Sequence, residues 1–541
     1  MKRTRSNRGS PAPYRRLLAA LGFAIACMLI GLFLGARYIS RLPDHAGYFL
    51  VGVDDEVRAP IPRRPRHTAV IVVDGLRRDA AETMRVTQRL QQAGQCRTSD
   101  QGSYTISRPE YALLSTGLEV DRTGARNNEL TAPLAAESVW QVARTSGLRV
   151  SGSSHLPWFQ QLFPAGFDRF VVQDDLLADV FADETGALQD LDLFHPLYVD
   201  EVGHEHGAAS PEYRAAVERV DGEIAGLLAR MDLTRDLVVL TADHGHTATG
   251  GHGGAAPELK DVLICFAGPG VQRRADRAAF DGRSTAPTLA VLLGLRFPRH
   301  MHAGDDDLDV IGEVVSAEPG NAAYLLERRA AVERFRAENG RALESWLGGP
   351  PGTWARLYQR ESGAQHRRAL LVGLMLFIVG VATLRARRMR ARASAVTLAW
   401  LILAVFSIWA VHRAVLGEFD YTVINLRERF LPRAAIIGFG AALVGLGAHL
   451  GVVRARERLL GDFLMLVGLV LAANVGHVLV YGWPLGFPLP APAARYFPFL
   501  GAILLVTHGL VAFLLASHGL VVSVRVALEH RRAAQSPQPG D

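Results

Sequence analysis

The sequence predicts an α/β protein with a mainly parallel sheet, carried by an N-terminal membrane anchor and followed by a C-terminal five-helix transmembrane bundle. Three observations predict it. Short apolar strands alternate with helical patterns through residues 45–345. An uncharged run of 18 residues, LLAALGFAIACMLIGLFL at 17–34, precedes them. Five more apolar runs follow, at 369–384, 393–411, 434–453, 459–481 and 497–524. Strands that alternate with helices form a parallel sheet covered on both faces, and an apolar run of about 18 residues or more is long enough to span a bilayer.

Composition agrees with this division. Hydrophobic residues make up 49% of the 541 and charged residues 21%, with a mean hydropathy of +0.13. So much apolar surface excludes disorder over the whole chain, and three cysteines exclude a disulfide-stapled mini-protein. The net charge of +6 suggests a nucleic-acid binder until the basic residues are sorted by position. No basic patch interleaves with aromatics, so no nucleic-acid partner is expected.

The run at 17–34 is longer than the core of a signal peptide and follows six basic residues, which reads as an uncleaved anchor. With the N-terminus in the cytoplasm, six spans leave 1–16, 385–392, 454–458 and 525–541 inside. These segments hold 17 basic residues, against four in the two short outside loops. That is the positive-inside pattern. The expected organisation is a cytoplasmic tail at 1–16, an anchor at 17–34, an extracytoplasmic catalytic domain at 45–345, a linker at 346–368 containing GGPPG, a bundle at 369–524 and a second cytoplasmic tail at 525–541. A multi-pass membrane protein results, lying in the plasma or inner membrane if the source is bacterial, with both termini inside. His449, Asp462, Asn474, His477 and His508 fall in or beside spans, where helix–helix hydrogen bonding is their ordinary use.

Within the outside domain, HTAVIVVDG at 67–75 reads as a buried strand, and 79–94 has helical spacing. LRVSGSS at 148–154, DLFHPLYVD at 192–200, DLVVLTADHG at 236–245 and DVLICFAGPG at 261–270 each read as strand then loop, with a helix over 210–230. In open sheets, chemistry gathers at the carboxyl ends of the strands, and the unusual residues occur there. Asp74 ends VIVVDG. Asp200, His204 and His206 lie in YVDEVGHEHG; Asp243, His244, His246 and His252 lie in LTADHGHTATGGHGG. Taken singly, an Asp before Gly forms a turn and a His pair sits on a surface. Three such groups at three strand ends of one domain point instead to a metal centre. Mixed imidazole and carboxylate suits Zn²⁺, and Mn²⁺ would accept the same set. Six ligands and a shared hydroxyl would fill two sites.

That hydroxyl lies in QGSYTISRPEYALLSTG, where Thr105 and Ser107 compete. Either one could simply cap the helix that follows. Near metal ions, and at a helix N-terminus, a hydroxyl can ionise and attack phosphorus.

These residues resemble the alkaline phosphatase superfamily. VDGLRRD, a hydroxyl-x-Pro segment closed by Thr116-Gly117, DxxxHxHG, DHG and GHGG occur in that family's order over roughly residues 65–310. Within it, the type I phosphodiesterases and, above all, the GPI ethanolamine phosphate transferases are most similar, in DGLRxD, Ser-Arg-Pro and the histidine segments. They also share the plan of one anchor, an outside domain and a C-terminal bundle. The resemblance implies an alkaline-phosphatase-like sandwich and two divalent ions, one held by Asp74, Ser107, Asp243 and His244, the other by Asp200, His204 and His252. It implies Ser107, two residues before Pro109, as nucleophile in preference to Thr105. Glu110 stands where related phosphodiesterases often have Asn, and His246 where Met is usual. With His206, these two are candidates for support around the ligands. The sulfatase signature is absent at Cys96.

The function implied is transfer of a phosphoethanolamine-type group from a phospholipid such as phosphatidylethanolamine to a lipid or glycan acceptor. Hydrolysis at the same site is one alternative. A membrane scaffold or lipid carrier with an inactive domain is another. Cys96 and Cys265 are expected as buried free thiols, because no spacing rule pairs them.

Overall fold

The computed structural model describes residues 13–40, 65–182, 187–273, 279–301, 305–315, 322–349, 353–386, 435–440, 442–443, 456–482 and 497–535, with a few isolated positions besides. One eight-stranded sheet organises the middle of the chain. Its strands are β1 (Thr68–Val72), β2 (Gly94–Asp100), β3 (Val150–Ser154), β4 (Arg169–Val172), β5 (Leu191–His195), β6 (Leu237–Thr241), β7 (Asp261–Ala267) and β8 (Phe280–Asp281). Their order is β4-β3-β5-β1-β6-β7-β2-β8. Pairing is parallel except where β7 meets β6 and β2. The mainly parallel α/β sheet is therefore present, with β7 reversed against expectation and with β2, β4 and β8 added.

Strand β1 explains its own composition. Val70 and Val72 enter a core with Trp140, Phe159 and Leu289 on one face of the sheet. Ala69, Ile71 and Val73 enter a second core with Val217, Val220, Ile224 and Leu228 on the other. Alternate side chains leave a strand on opposite faces, so a sheet covered twice demands an unbroken apolar run. The second core is capped by the helix Pro211–Ala229, which starts at Ser210, whose Oγ accepts the Tyr213 N–H at 3.0 Å.

Two segments depart from the sequence reading. DLFHPLYVD is strand only to His195; Pro196 cannot donate to the ladder, and the helix Tyr198–His206 takes Asp200 into its first turn. The helical stretch at 79–94 is two helices, Arg78–Thr83 and Arg85–Ala93, broken at an extended Met84. A third departure is the cysteine pair. Cys96 and Cys265 face each other across antiparallel β2 and β7, with Cα atoms 4.0 Å apart, and form a disulfide. Close facing pairs are a property of antiparallel ladders; the partners are 169 residues apart in sequence, so local spacing gave no sign of it.

Outside the sheet region, the run at 17–34 lies in the helix Pro13–Ser40, and 369–384 lies in the helix Thr353–Ala386. The expected linker is thus helical from residue 353 onward. Among the described residues, Tyr14–Gly35, Arg356–Val381 and Gly501–Glu529 are long and apolar enough to cross a membrane; Val467–Tyr481, within the expected span 459–481, is apolar but shorter. Within the expected span 434–453, residues 435–440 and 442–443 are helical; the expected span at 393–411 lies outside the described residues, apart from isolated positions. The N-terminal helix packs on the helix Phe497–Gln535: Tyr14 Oη donates to Ser523 O at 3.0 Å, and a Cβ on Gly31 would meet Ala502 O at 2.9 Å. Small residues permit such close crossings in lipid. Asn474 packs in the same way against Gly501 of that helix.

Candidate metal centre

The centre forms where β1 and β6, paired in parallel, end side by side. Asp74 leaves β1 and Asp243 leaves β6, so both carboxylates reach the same end of the sheet. The turn after Asp74 requires glycine: Gly75 has φ +71°, and a Cβ there would lie 2.8 Å from Asp200 Cα. Backbone is therefore able to bring the helix Tyr198–His206 against the strand end. The Gly75 N–H donates to Asp243 Oδ1 at 3.1 Å, and the His244 N–H donates to the same oxygen at 2.9 Å.

Seven groups converge here. His244 Nε2 lies 3.5 Å from Asp74 Oδ1, 3.3 Å from Asp243 Oδ2 and 3.2 Å from Ser107 Oγ. On the other side, Asp200 lies 3.4 Å from His204 Nε2 and 3.7 Å from His252 Nε2, and those two nitrogens are 3.0 Å apart. The rings of His244 and His252 stack at 3.7 Å and join the two groups. Donor atoms of Asp74, Asp243 and His244 lie close enough to share one ion, as do those of Asp200, His244 and His252 and those of Asp200, His204 and His246.

Tautomers show which nitrogens can offer a lone pair to a cation. The Nδ1 atoms of His244 and His252 face the carbonyls of Gly245 (3.2 Å) and Thr105 (2.8 Å). Each Nδ1 must carry the proton, which leaves an Nε2 lone pair aimed into the cluster. His246 is the reverse: its Nδ1 accepts the Gly251 N–H at 3.1 Å, so Nε2–H donates to Asp200 Oδ1 at 2.7 Å. A Cβ on Gly203 would strike this ring at 2.5 Å, so His246 packs flush on the helix that carries Asp200.

Electrostatics calls for a positive charge. Asp74 Oδ1 and Asp243 Oδ2 are buried without a hydrogen-bond partner among the described residues. Burial, with Asp74 and Asp200 nearby, pushes Asp243 well above the usual carboxylate range. Burial opposes ionisation of Asp200 too, but His204 and His246 hold it well below that range. Burial likewise disfavours His204⁺, yet Asp200 raises it to about 9; His246, buried, falls to about 4. Orphaned carboxylate oxygens and imidazole lone pairs within one cluster fit divalent metal ions.

Ser107 is the first residue of the helix Ser107–Thr116. Thr105 is occupied elsewhere: its Oγ1 donates to Gly254 O at 2.8 Å and accepts the Gly253 N–H at 2.9 Å, fixing the loop that presents His252. His206 lies away from the cluster, half-exposed beside Glu205. Glu110 is buried, but the charges it feels are those of Asp100 and Asp281. The sequence reading missed a support on Asp74: Tyr111 Oη donates to Asp74 Oδ2, His195 Nε2 lies 2.8 Å from Tyr111 Oη and 3.1 Å from Asp74 Oδ2, and Ser154 Oγ contacts His195 Nδ1 at 2.8 Å. The available signal was a polar His195 where the apolar Leu193-Phe194 pair runs into Pro196.

Residues 166–263 match the family described as type I phosphodiesterase / nucleotide pyrophosphatase. That interval contains Asp200, His204, Asp243, His244, His246 and His252. GPI ethanolamine phosphate transferase 3, catalytic subunit, of Mus musculus is 28% identical over 211 residues, 36% of this chain and 19% of the relative. GPI ethanolamine phosphate transferase 2, catalytic subunit, of Homo sapiens is 23% identical over 295 residues, 48% of this chain and 29% of the relative. The chain thus spans under a third of the length of either. Among solved structures, murine ectonucleotide pyrophosphatase / phosphodiesterase 5 aligns over 46% of this chain and 100% of its own, at 14% identity and a TM-score of 0.39. The chain is thus similar over part of its length to the GPI ethanolamine phosphate transferases, and it carries a segment that matches the type I phosphodiesterase / nucleotide pyrophosphatase family on a mainly parallel α/β sheet.

Proposed function

We propose that the protein is a membrane-bound phosphotransferase, moving a phosphoethanolamine-type group from a phospholipid to a lipid or glycan alcohol. The observation that carries this reading is Ser107 Oγ, at the start of its helix and 3.2 Å from His244 Nε2, beside carboxylates with unpartnered oxygens. The names of the relatives supply the group transferred.

Asp74, Ser107, Asp243 and His244 would hold one divalent ion, and Asp200, His204 and His252 a second, Zn²⁺ being the first choice for such donors. Bound there, the ions would favour the serine alkoxide and neutralise charge on phosphoryl oxygens. The chain's own contribution is position. The helix N-terminus directs its dipole toward incoming anionic oxygens. Tyr111 and His195 fix Asp74, His246 fixes Asp200, and Thr105 fixes the His252 loop. Ser107 Oγ attacks phosphorus; the Oγ–P bond forms, the P–O bond to diacylglycerol breaks, and the departing oxygen takes up the proton Ser107 has lost. The acceptor's hydroxyl oxygen then attacks the phosphoserine and releases its own proton, and the Oγ–P bond breaks to regenerate the Ser107 hydroxyl.

The match to a phosphodiesterase family favours a second reading, in which water replaces the acceptor. Purified, metal-loaded protein given ethanolamine-labelled phosphatidylethanolamine and candidate glycolipids separates the two. Label on a glycolipid supports transfer. Label recovered only as free phosphoethanolamine sinks it.

The proposed organisation places the catalytic region outside the cytoplasm and both termini inside. The Tyr14–Ser523 contact supports both termini lying on one side, since it brings the start of the first span and the end of the last to one end of the helix pair.

A further inference from the structure

Beside the start of the helix Ser107–Thr116 lies a cavity of about 560 Å³, lined by Asp100, Tyr104, Glu110, Asp281, Arg283 and Tyr358, among others. Glu110 is 1% exposed, and neither oxygen of its carboxylate has a hydrogen-bond partner among the described residues. A buried, unpaired carboxylate is costly, and such groups are kept where something else completes them. The cations nearby are already engaged. Arg283 binds Asp281 (Nε–Oδ1 3.0 Å) and Glu119 (2.7 Å), while Lys260 Nζ binds Asp100. The wall is therefore acidic around Glu110. The Arg283 guanidinium, fixed in the wall, disfavours a bare divalent ion there. Tyr104 and Tyr358 also line the cavity, and aromatic rings suit an organic cation.

Position adds the rest. Glu110 stands three residues after Ser107 on one helix, so their Cβ atoms are neighbours at about 5–6 Å. In phosphoethanolamine, one oxygen and two carbons separate phosphorus from nitrogen, a comparable reach. Tyr358 belongs to the helix Thr353–Ala386, whose 356–381 stretch is apolar enough to enter a membrane, so the cavity lies between the sheet region and that helix.

We propose that this cavity seats the organic ammonium group of the donor, with Glu110 as its counter-ion, while Ser107 receives the phosphorus. The assignment rests on the phosphotransfer reading above and extends it to selection of the headgroup.

The test uses the full-length, zinc-loaded protein and two 4-nitrophenyl phosphodiesters, one carrying an aminoethyl group and the other an ethyl group. They differ in the amine alone. Glu110→Gln should raise KM for the aminoethyl ester at least about tenfold and leave kcat/KM for the ethyl ester within about threefold, the scale of one lost charge-assisted hydrogen bond. A wild-type measurement needs no variant: phosphoethanolamine should inhibit cleavage of the ethyl ester at least about tenfold more tightly than ethyl phosphate. Equal inhibition by the two, or a variant that slows both esters alike, overturns the cavity assignment alone. Competition by calcium that vanishes in Glu110→Gln also overturns it, by making the cavity a divalent-cation site. A wild-type protein inert toward both esters overturns the phosphotransfer reading and the assignment with it.

Discussion

The two halves of the candidate metal centre are built from different materials. Asp74, Asp243 and His244 follow neighbouring strands and are fully buried, locked by backbone amides and by the Tyr111–His195 pair. Asp200 and His204 ride on a nine-residue helix, His252 on a glycine-rich loop, and the His204 side chain keeps 29% of its exposure. The first half is closed, and it touches Ser107, the proposed nucleophile. The second is more open and is tied down mainly by His246. Such a difference suits a first half that prepares the attacking oxygen and a second that faces arriving substrate.

Breaking the first half should have the largest effect. Ser107→Ala is expected to lower turnover of a phosphodiester by at least about 10³-fold while metal content by elemental analysis stays near that of the wild type. Thr105→Ser should retain much of the rate, and an equal loss there would undo the distinction between the two hydroxyls.

Asp243→Asn should separate electrostatics from catalysis. Without metal, Asp74, Asp200 and Asp243 form a buried cluster of like charge, and burial with its neighbours pushes Asp243 upward. Removing one carboxylate should raise the melting temperature of chelator-stripped protein, and it should shrink the increase that zinc produces. A ligand stabilises only in proportion to its binding, so zinc shifts that match the wild type's would show that Asp243 holds no ion.

The second half yields a smaller step. His246→Ala removes the donor that orients Asp200, and loss of such a support costs about 10–100-fold in metal affinity or activity. The deficit should be concentrated in one of two metal equivalents. An even loss from both would mean that the halves are not separable.

Smallest should be Tyr111→Phe, which deletes one hydroxyl while His195 still contacts Asp74. About tenfold in kcat is expected, near the worth of a single hydrogen bond to a charged group, with KM unchanged. If His195→Gln proved milder than Tyr111→Phe, the order of the two supports on Asp74 would be reversed.

Much of the centre was legible because its ligands sit at strand ends, where an apolar run stops abruptly at Asp or His. Asp74 and Asp243 could be found in that way from a few residues each. The supports could not. Tyr111, His195 and Ser154 meet only after three separate elements have packed, and nothing in SRPEYALL marks one tyrosine as a partner of Asp74. His246 was noticed as a departure, but its role depends on which nitrogen Gly251 occupies. Strand β2, GQCRTSD, is too polar to announce itself; it is held by β7 and β8 on either side. The reversal of β7 also follows from that long-range pairing.

The Cys96–Cys265 bond also bears on the cell biology of the molecule. Thiols of this kind stay reduced in most cytosols and are oxidised outside them, so the bridge is a chemical record of the compartment in which the sheet closed. It joins the one reversed strand to its neighbour and leaves Cys27, buried in the first membrane helix, as the sole remaining thiol. A single alkylation count on denatured protein, one group before reduction and three after, would therefore report the side of the membrane on which this domain matured, independently of any loop charge.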